Sequence, residues 1–459
     1  MIGVLLLLAL PQVTVIRDVT VIDGPRSAPR LHQDVTIDGR RIASVSARRA
    51  PVARGARVID GRGKYLLPGF IDMHAHVAFG PVSLRTVNGM PEMRLAYDHA
   101  ASRATLRTLL AFGVTTVRNP GGPLAQAVAL RDSLEHGLIE GPRVRTAGEA
   151  IDQFSAPGIA VAASTPEAVR AEVDRQAAAG VDYVKLYAGL TAPLVRAGVG
   201  EARARGVKAI THTMMTSWTD AANAGIHGIV HVVPGSPQLI RPDQRAGYFA
   251  TMRGTQFMAQ WFAFADLDSP EIREMTDALV RNGTWLDLTL VTFDRMFRGN
   301  QTEVIEGPDL RYAAPAMRES WKDMQLTLGW SDADFASAVA QWPRVEAFVR
   351  HLYAAGVRLT IGTDANNPWT PPGISFHREL ELHVKAGIPP AEVLRMATLA
   401  GAQSLGMEGE IGTVEAGKRA DLVLLDADPL ADIRNTQRIG VVFRGGVPWR
   451  PAQLLDAPR

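Results

Sequence analysis

The chain has 459 residues, of which 46% are hydrophobic and 21% charged, with 49 Lys and Arg against 47 Asp and Glu. This composition is typical of a globular protein with a large core, and the length suits one large barrel with an appendage or about two or three domains. A formal charge of +2 gives no basic surface for a nucleic-acid partner. The absence of cysteine excludes disulfides, iron–sulfur clusters and a cysteine nucleophile, so any metal ion must be bound by histidines and carboxylates.

An aliphatic run occupies residues 2–10 (IGVLLLLAL). The run is too short for a membrane span, which needs about 20 residues, and no other segment approaches that length, so we expect no span. It does have the length of the apolar part of a secretory signal, about 7–15 residues. We therefore interpret residues 1–11 as a signal remnant, which favours an exported protein over a cytoplasmic one; a native first strand is the alternative.

Short β-branched runs dominate residues 12–67 and return in residues 405–459. In the first segment, Asp38 and Gly39 are typical of the turn of a β-hairpin. In the second segment, residues 421–425 and 439–443 are predicted strands. We predict that the two ends of the chain build one small β domain together.

Residues 68–404 have another pattern, in which strand-like runs alternate with helical stretches rich in Ala, Leu and Arg. Such alternation predicts βα units and a parallel sheet. The strand-like runs occupy residues 69–73, 114–117, 144–146, 183–186, 208–211, 228–230, 285–290 and 358–361. Eight such units favour an α/β fold of the (β/α)8 TIM-barrel type over the alternative, a doubly wound open sheet.

Polar side chains follow the ends of several of these runs. His74 and His76 follow the first run, and further polar residues follow the fifth, sixth and eighth runs, namely His212, His231 and Asp364. Because the carboxyl ends of barrel strands meet at one mouth, we expect these side chains to converge there. Imidazoles and a carboxylate without thiolates suit zinc or a similar divalent ion, whereas any one of them alone could be a core histidine or a helix cap.

Lys185 ends the fourth run and is expected at the same mouth. Two positive charges about 4 Å apart repel by about 4 kcal/mol at an effective dielectric constant of about 20. Lys185 must therefore lie away from any metal, be deprotonated, or be converted by CO2 into a carbamate anion; a surface lysine is the alternative. His227, at the opposite end of the sixth run, is expected to be structural.

Three groups of residues together resemble the amidohydrolase superfamily. They are the segment Leu67-Pro-Gly-Phe-Ile-Asp-Met-His-Ala-His76, the strand-end residues Lys185, His212 and His231 with Gly362-Thr-Asp364-Ala, and residues 411–423 (IGTVEAGKRADLV) with Asp428-Pro-Leu430. The resemblance covers nearly the whole chain and points to the prolidase-like and imidazolonepropionase-related branches. It implies a (β/α)8 TIM barrel at residues 68–404, with a small composite β-sandwich formed by residues 12–67 and 405–459.

The resemblance also implies a binuclear metal centre. By it, His74, His76 and Asp364 hold one divalent ion, expected to be zinc, and His212 and His231 hold the other. Carboxylated Lys185 bridges the two ions. The chain departs from the family's pattern twice: residues 147–154 (AGEAIDQF) lack a histidine that the peptide-cleaving branch often carries, and Asn119 stands where an aspartate is frequent.

The expected activity is hydrolysis of an amide bond by a metal-bound hydroxide, in a peptide-like or N-acyl amino acid substrate with a bulky apolar or aromatic part. Asp364 would take the proton of the attacking hydroxide and deliver it to the leaving nitrogen. Tyr187, two residues beyond Lys185, is either a hydrogen-bond donor to the oxyanion or a structural tyrosine. The bulky group is inferred from aromatic residues in the long connections between strands, namely Trp261, Phe262, Phe293, Phe297 and Trp321.

Other functions remain open at the level of sequence. The same centre could hydrolyse a lactone, a carboxyl ester or a phosphotriester, and a barrel of this kind could also bind a metal or a ligand without catalysis. Arg295 or Arg298 would bind a substrate carboxylate if they lined the pocket; exposed lid arginines are the alternative. The expected partner is a small-molecule amide substrate, and a homo-oligomer is compatible with the sequence.

Overall fold

The computed structural model describes residues 13–23, 28–47, 52–87, 90–324 and 326–456. The segment at residues 1–11 that was interpreted as a signal remnant lies outside these ranges. Within them, none of the helices has both the length and the apolar character needed to cross a membrane.

The strands run through the described chain in the following order. They are β1 Thr14–Val21, β2 Arg30–Asp38, β3 Arg41–Ser46, β4 Arg57–Asp60, β5 Tyr65–Pro68, β6 Phe70–Asp72, β7 Val82–Val87, β8 Met90–Leu95, β9 Val114–Asn119, β10 Arg143–Thr146, β11 Ala150–Asp152, β12 Ala160–Ala162, β13 Tyr183–Leu186, β14 Lys208–Thr211, β15 Gly228–Val230, β16 Trp285–Asp287, β17 Arg358–Thr360, β18 Leu422–Leu425, β19 Ile439–Arg444 and β20 Val447–Trp449.

The α-helices lie mainly between the strands of the middle region. They are α1 His99–Ala111, α2 Leu124–Glu135, α3 Pro166–Ala178, α4 Ala192–Ala204, α5 Trp218–Asn223, α6 Arg245–Ala250, α7 Phe257–Phe264, α8 Pro270–Asn282, α9 Leu290–Phe297, α10 Thr302–Ile305, α11 Pro315–Asp323, α12 Asp332–Ala340, α13 Trp342–Ala354, α14 Ile374–Lys385, α15 Pro390–Arg395, α16 Gly401–Leu405 and α17 Pro451–Leu455.

Strands from both ends of the chain share one sheet. Its order is β20-β19-β18-β5-β1-β2-β3, and β4 pairs with β1. The C-terminal strand β18 runs antiparallel to β5, with Leu422 opposite Pro68 and Leu425 opposite Tyr65. The predicted hairpin turn is confirmed, because β2 and β3 pair antiparallel around Gly39, whose φ of 54° suits glycine.

The middle region contains two sheets whose strands all pair in parallel. One has the order β10-β9-β6 and the other β12-β11-β13-β14-β15-β16-β17. Isolated parallel bridges join Ala75 to Ala365 and Ala147 to Tyr183. Strands such as β6, β9 and β13 are buried along their whole length, as expected for parallel strands that other elements cover on both faces. The predicted α/β class is confirmed.

Each of the eight predicted runs overlaps a strand of these sheets, but the seventh run extends beyond its strand. Strand β16 ends at Asp287, and α9 begins at Leu290. Thr289 turns the chain with a φ of 47°. The carboxylate of Glu379 then accepts hydrogen bonds from the N–H groups of Leu290 and Val291 at 2.9 and 2.7 Å. A distant side chain therefore caps the helix and ends the run of extended residues.

Candidate metal centre and its cavity

The predicted ligands meet at the carboxyl ends of the parallel strands. His74 and His76 follow β6, His212 follows β14, His231 follows β15 and Asp364 follows β17. All of these side chains are buried, and none is more than 9% exposed. Apart from His74 and His76, these residues are far apart in the sequence. They come together because the strands that they follow end at the same side of the parallel sheets.

His74, His76 and Asp364 form the tightest cluster. One ligand atom from each lies within 4.8 Å of the others. Oδ1 of Asp364 is 3.3 Å from Nε2 of His74 and 3.1 Å from Nε2 of His76. These are the residues assigned to the first ion by the family resemblance.

His212 and His231 form a neighbouring pair. Their ring centroids are 4.4 Å apart, and the ring of His231 is 4.8 Å from that of His74. Nδ1 of His231 is 2.8 Å from the hydroxyl of Thr289 and 4.0 Å from Oδ2 of Asp364. His231 and Asp364 both have a positive φ, 73° and 59°. Such backbone is uncommon for residues other than glycine and often marks functional sites.

Burial keeps the imidazoles uncharged. It lowers the pKa of His212 to about 3 and the pKa values of His74 and His231 well below the ordinary value. Within the described chain, Nε2 of His74 and the Nδ1 atoms of His76 and His212 are buried without a hydrogen-bond partner. Buried, unpaired nitrogens are costly unless something coordinates them. Neutral imidazole is also the form that binds metal, so this donor set fits a divalent ion.

Lys185 lies on β13 among these groups, and only 4% of it is exposed. The surface-lysine alternative is therefore wrong. Burial lowers the pKa of Lys185 to about 8, against the opposing effect of Asp364 and Asp287. Nζ lies 5.2 Å from the centre of the Tyr187 ring. The interior thus makes the positive charge of this amine easier to lose than it is in water.

Sequence reasoning missed Asp287, which orients His74. Oδ1 of Asp287 is 2.7 Å from Nδ1 of His74, which leaves Nε2 for a ligand bond. Burial raises the pKa of Asp287 to about 7, and a guanidinium N–H of Arg118 donates to its Oδ2 at 2.5 Å. Asp287 is the last residue of β16, but the seventh predicted run continues to residue 290, so the sequence pattern did not set Asp287 apart.

Asp72 and Thr363 join the ends of β6 and β17. The backbone N–H and the hydroxyl of Thr363 donate to the Asp72 carboxylate at 3.1 and 2.7 Å. The N–H of His74 donates to the same carboxylate at 3.1 Å. These bonds fix the backbone next to His74 and Asp364.

Two residues named from the sequence have roles outside the ligand set. The side chain of Asn119 accepts hydrogen bonds from the N–H groups of Val77 and Ala78 and donates to Thr146. It therefore shapes the loop after His76. Nε2 of His227 is 2.9 Å from the carbonyl oxygen of Ser404, in keeping with its predicted structural role.

A cavity of about 240 Å³ opens onto the cluster, and Tyr187 lines it. Of the aromatic residues predicted to favour a bulky substrate, Phe293 lines this cavity. The others do not line it and pack in the interior, namely Trp261, Phe262, Phe297 and Trp321. Arg295 and Arg298 do not line it either. An Nη atom of Arg295 is 3.6 Å from Oδ2 of Asp309, and Nε of Arg298 is 3.0 Å from Oδ1 of Asp294.

The model of the amidohydrolase family matches residues 65–252 and 336–447 of this chain. The chain belongs to the amidohydrolase family. It is therefore a hydrolase that acts on carbon–nitrogen bonds, as predicted.

Relatives of known structure or sequence match along most of the chain. An imidazolonepropionase from Rubrobacter xylanophilus is 26% identical over 430 residues, which cover 86% of this chain and 84% of the relative. A crystal structure of a Xaa-Pro dipeptidase with bound methionine in the active site has a TM-score of 0.69 at 22% identity, covering 95% of this chain and 100% of its own. The ochratoxinase of A. niger has a TM-score of 0.67 at 18% identity, covering 95% of each chain. These two structures show that the chain shares their fold.

Replacement of Asp287 by asparagine tests its positioning role. We expect Asp287→Asn to weaken divalent-ion binding by about 10- to 100-fold, because His74 loses a charged partner that fixes its ring. Titration of the metal-free protein against a competing chelator measures this. Asp277→Asn, an exposed change on α8, is the control and should leave affinity unchanged. Equal affinity in Asp287→Asn and the control would refute the role.

Proposed function

We propose that this protein is a divalent-metal-dependent amidase. The reaction adds water to an amide, R–CO–NH–R′ + H2O, and gives a carboxylic acid and an amine. The observation that carries the proposal is the buried cluster of His74, His76 and Asp364, of which His76 and Asp364 line one cavity together with Lys185. The proposed substrate is peptide-like or N-acylated, with a bulky apolar part.

The fold proposed for this activity is a closed (β/α)8 barrel. The bridges from Ala75 to Ala365 and from Ala147 to Tyr183 support closure, since they connect the two parallel sheets. The sheet shared by both chain ends would form the accompanying β-sandwich. The proposed domains are residues 12–67 and 405–459 for the sandwich and residues 68–404 for the barrel.

The proposed centre holds two divalent ions, with zinc as the expected metal. His74, His76 and Asp364 would hold one ion, and His212 with His231 the other. A set of nitrogen and oxygen donors without thiolates suits zinc. Ions of this kind supply Lewis-acid activation of water and of a carbonyl group.

The proposed bridging group is a carbamate on Lys185. A pKa lowered to about 8 leaves part of the amine neutral near pH 7, and the neutral amine is the form that adds to CO2. The new N–C bond forms with loss of one proton, R–NH2 + CO2 → R–NH–COO⁻ + H⁺. This change replaces a cation that would repel metal ions by an anion that attracts them.

Asp364 is the proposed proton carrier. It lines the cavity, and its Oδ1 accepts a hydrogen bond from the side-chain amide of Asn367 at 2.6 Å. In the proposed reaction this carboxylate would accept the proton of the attacking hydroxide and pass it to the leaving nitrogen, as a base and then an acid.

Tyr187 is the proposed donor to the oxyanion. Burial raises its pKa above the ordinary value, so the hydroxyl keeps its proton at neutral pH and can donate. It lines the same cavity as Asp364, and its ring centroid is 5.3 Å from that of His212. Donation to the developing negative charge would lower the barrier selectively in the transition state.

The first test replaces Asp364 by asparagine. We expect Asp364→Asn to retain divalent ions and to lose at least about 100-fold in kcat, because the amide cannot carry the proton. The assay is a panel of N-acyl amino acids, dipeptides, lactones and aryl phosphotriesters, with metal content measured in parallel. Full activity in the variant would rule out proton transfer by Asp364. Wild-type activity on lactones or phosphotriesters but on no amide would contradict the amidase proposal.

The second test concerns Lys185. Lys185→Ala should lose divalent ions and activity, and a small carboxylate such as acetate should restore part of both by supplying the missing anion. Lys208→Ala is the matched control, because burial also lowers the pKa of Lys208 but the residue lies outside the cavity. A Lys185→Ala protein that keeps its ions without added carboxylate would contradict the bridging role.

The third test removes the hydroxyl of Tyr187. Tyr187→Phe should lower kcat by about 10²-fold with little change in KM, since the lost hydrogen bond forms in the transition state. The control is Tyr183→Phe, at the start of the strand that Tyr187 follows but outside the cavity. Unchanged kcat in Tyr187→Phe would make Tyr187 a structural residue.

A further inference from the structure

We propose that the substrate is an uncharged amide whose apolar group binds a methionine-rich wall and extends over an apolar rim. This inference rests on the proposed amidase function and narrows its substrate. On this inference the protein does not recognise its substrate through a free carboxylate. Amides without a carboxylate are therefore better substrates than N-acyl amino acids, which carry one.

Methionine is concentrated at this cavity. Of the 14 methionines in the chain, five line it: Met93, Met214, Met258, Met296 and Met324. They come from separate parts of the fold, including β8, α7 and α9. Unbranched, polarisable side chains adapt to apolar ligands of different shape. Convergence of methionines from distant segments therefore points to a surface that contacts an apolar group.

Charge is scarce on the same wall. Among the described side chains that line the cavity, the acidic and basic groups other than histidine are Lys185 and Asp364, and both belong to the proposed centre. Arg295 and Arg298 lie outside it, close to Asp309 and Asp294. A carboxylate is usually recognised by a paired guanidinium, and its transfer into an apolar pocket without one is costly. Apart from the proposed metal centre, the described wall thus offers no cationic partner to a charged substrate end, which disfavours such an end.

The apolar wall continues to the surface. Met93, Phe154 and Leu326 line the cavity and are still 37%, 48% and 38% exposed. The enclosed volume of about 240 Å³ lies below the range of about 300–1,000 Å³ common for ligand pockets. A substrate larger than the enclosed part would therefore lie against this rim.

The test uses three substrates with the same acyl group: N-acyl-phenylalanine, N-acyl-phenylalaninamide and N-acyl-phenethylamine. The reaction followed in each is cleavage of the bond between the acyl carbon and nitrogen. With metal-loaded protein, we expect kcat/KM to be at least roughly tenfold higher for the two uncharged compounds, through a lower KM. Equal or better hydrolysis of the carboxylate compound would overturn the inference while leaving the amidase function intact.

Binding provides a second measurement that does not need turnover. Calorimetry with the Asp364→Asn protein should show tighter binding of the two uncharged compounds than of N-acyl-phenylalanine. The reverse order would also overturn the inference. If the wild type hydrolyses none of the three but the uncharged pair binds more tightly, the binding preference stands, and the wider substrate panel decides the amidase proposal.

A charge introduced at the rim supplies the matched variant. Phe154→Lys should shift the preference several-fold toward the carboxylate compound, because it places a cation where the chain has an apolar side chain. Leu138→Lys is the control, since Leu138 is 75% exposed and lies outside the cavity. An equal shift in both variants would show a general charge effect and would contradict an apolar rim as the selecting surface.

Discussion

Removal of water from the strand-end side chains is the constraint on which the whole centre depends. An isolated charge in such an interior is unfavourable by several kcal/mol. The imidazoles of His74 and His231 meet this constraint by remaining neutral, and Asp287 meets it by pairing with Arg118. Desolvation makes a charged imidazole costly to bury, so the histidines stay neutral. A neutral imidazole keeps a nitrogen lone pair that can bind a cation, so desolvation also prepares the site for a metal ion.

Much of the framework could be predicted from the sequence because it depends on local patterns. Buried parallel strands leave apolar runs, and a polar residue that follows such a run stands out, as His212 and Asp364 do. Asp287 was hidden because the run was extended to Leu290. Glu379, whose carboxylate caps the helix that follows β16, lies 89 positions from Leu290 in the sequence. A contact between residues so far apart cannot be predicted from a local sequence pattern.

The cavity wall could not be predicted for a different reason. An apolar side chain in a long connection contributes equally well to a core or to a pocket. Trp261 packs 5.4 Å from Phe348, centroid to centroid, and Trp321 donates its indole N–H to the carbonyl oxygen of Asn366 at 3.1 Å. Both therefore stabilise the interior, while Phe293 and several methionines face the cavity. Only the tertiary arrangement separates these two uses of the same residue type.

The shared terminal sheet affects the order in which the molecule can assemble. Strand β18 pairs with β5, and the N–H of Gly69, just after β5, donates to the carbonyl oxygen of Asp421 at 2.8 Å. The chain then passes through β6 directly to His74. During synthesis on the ribosome, β5, which precedes this segment, therefore has β1 as a neighbour but lacks β18 until residues 421–425 emerge. Asp364 lies far downstream of His74 and His76 in the sequence, so the proposed set of ligands is completed late in translation, although its first members are made early.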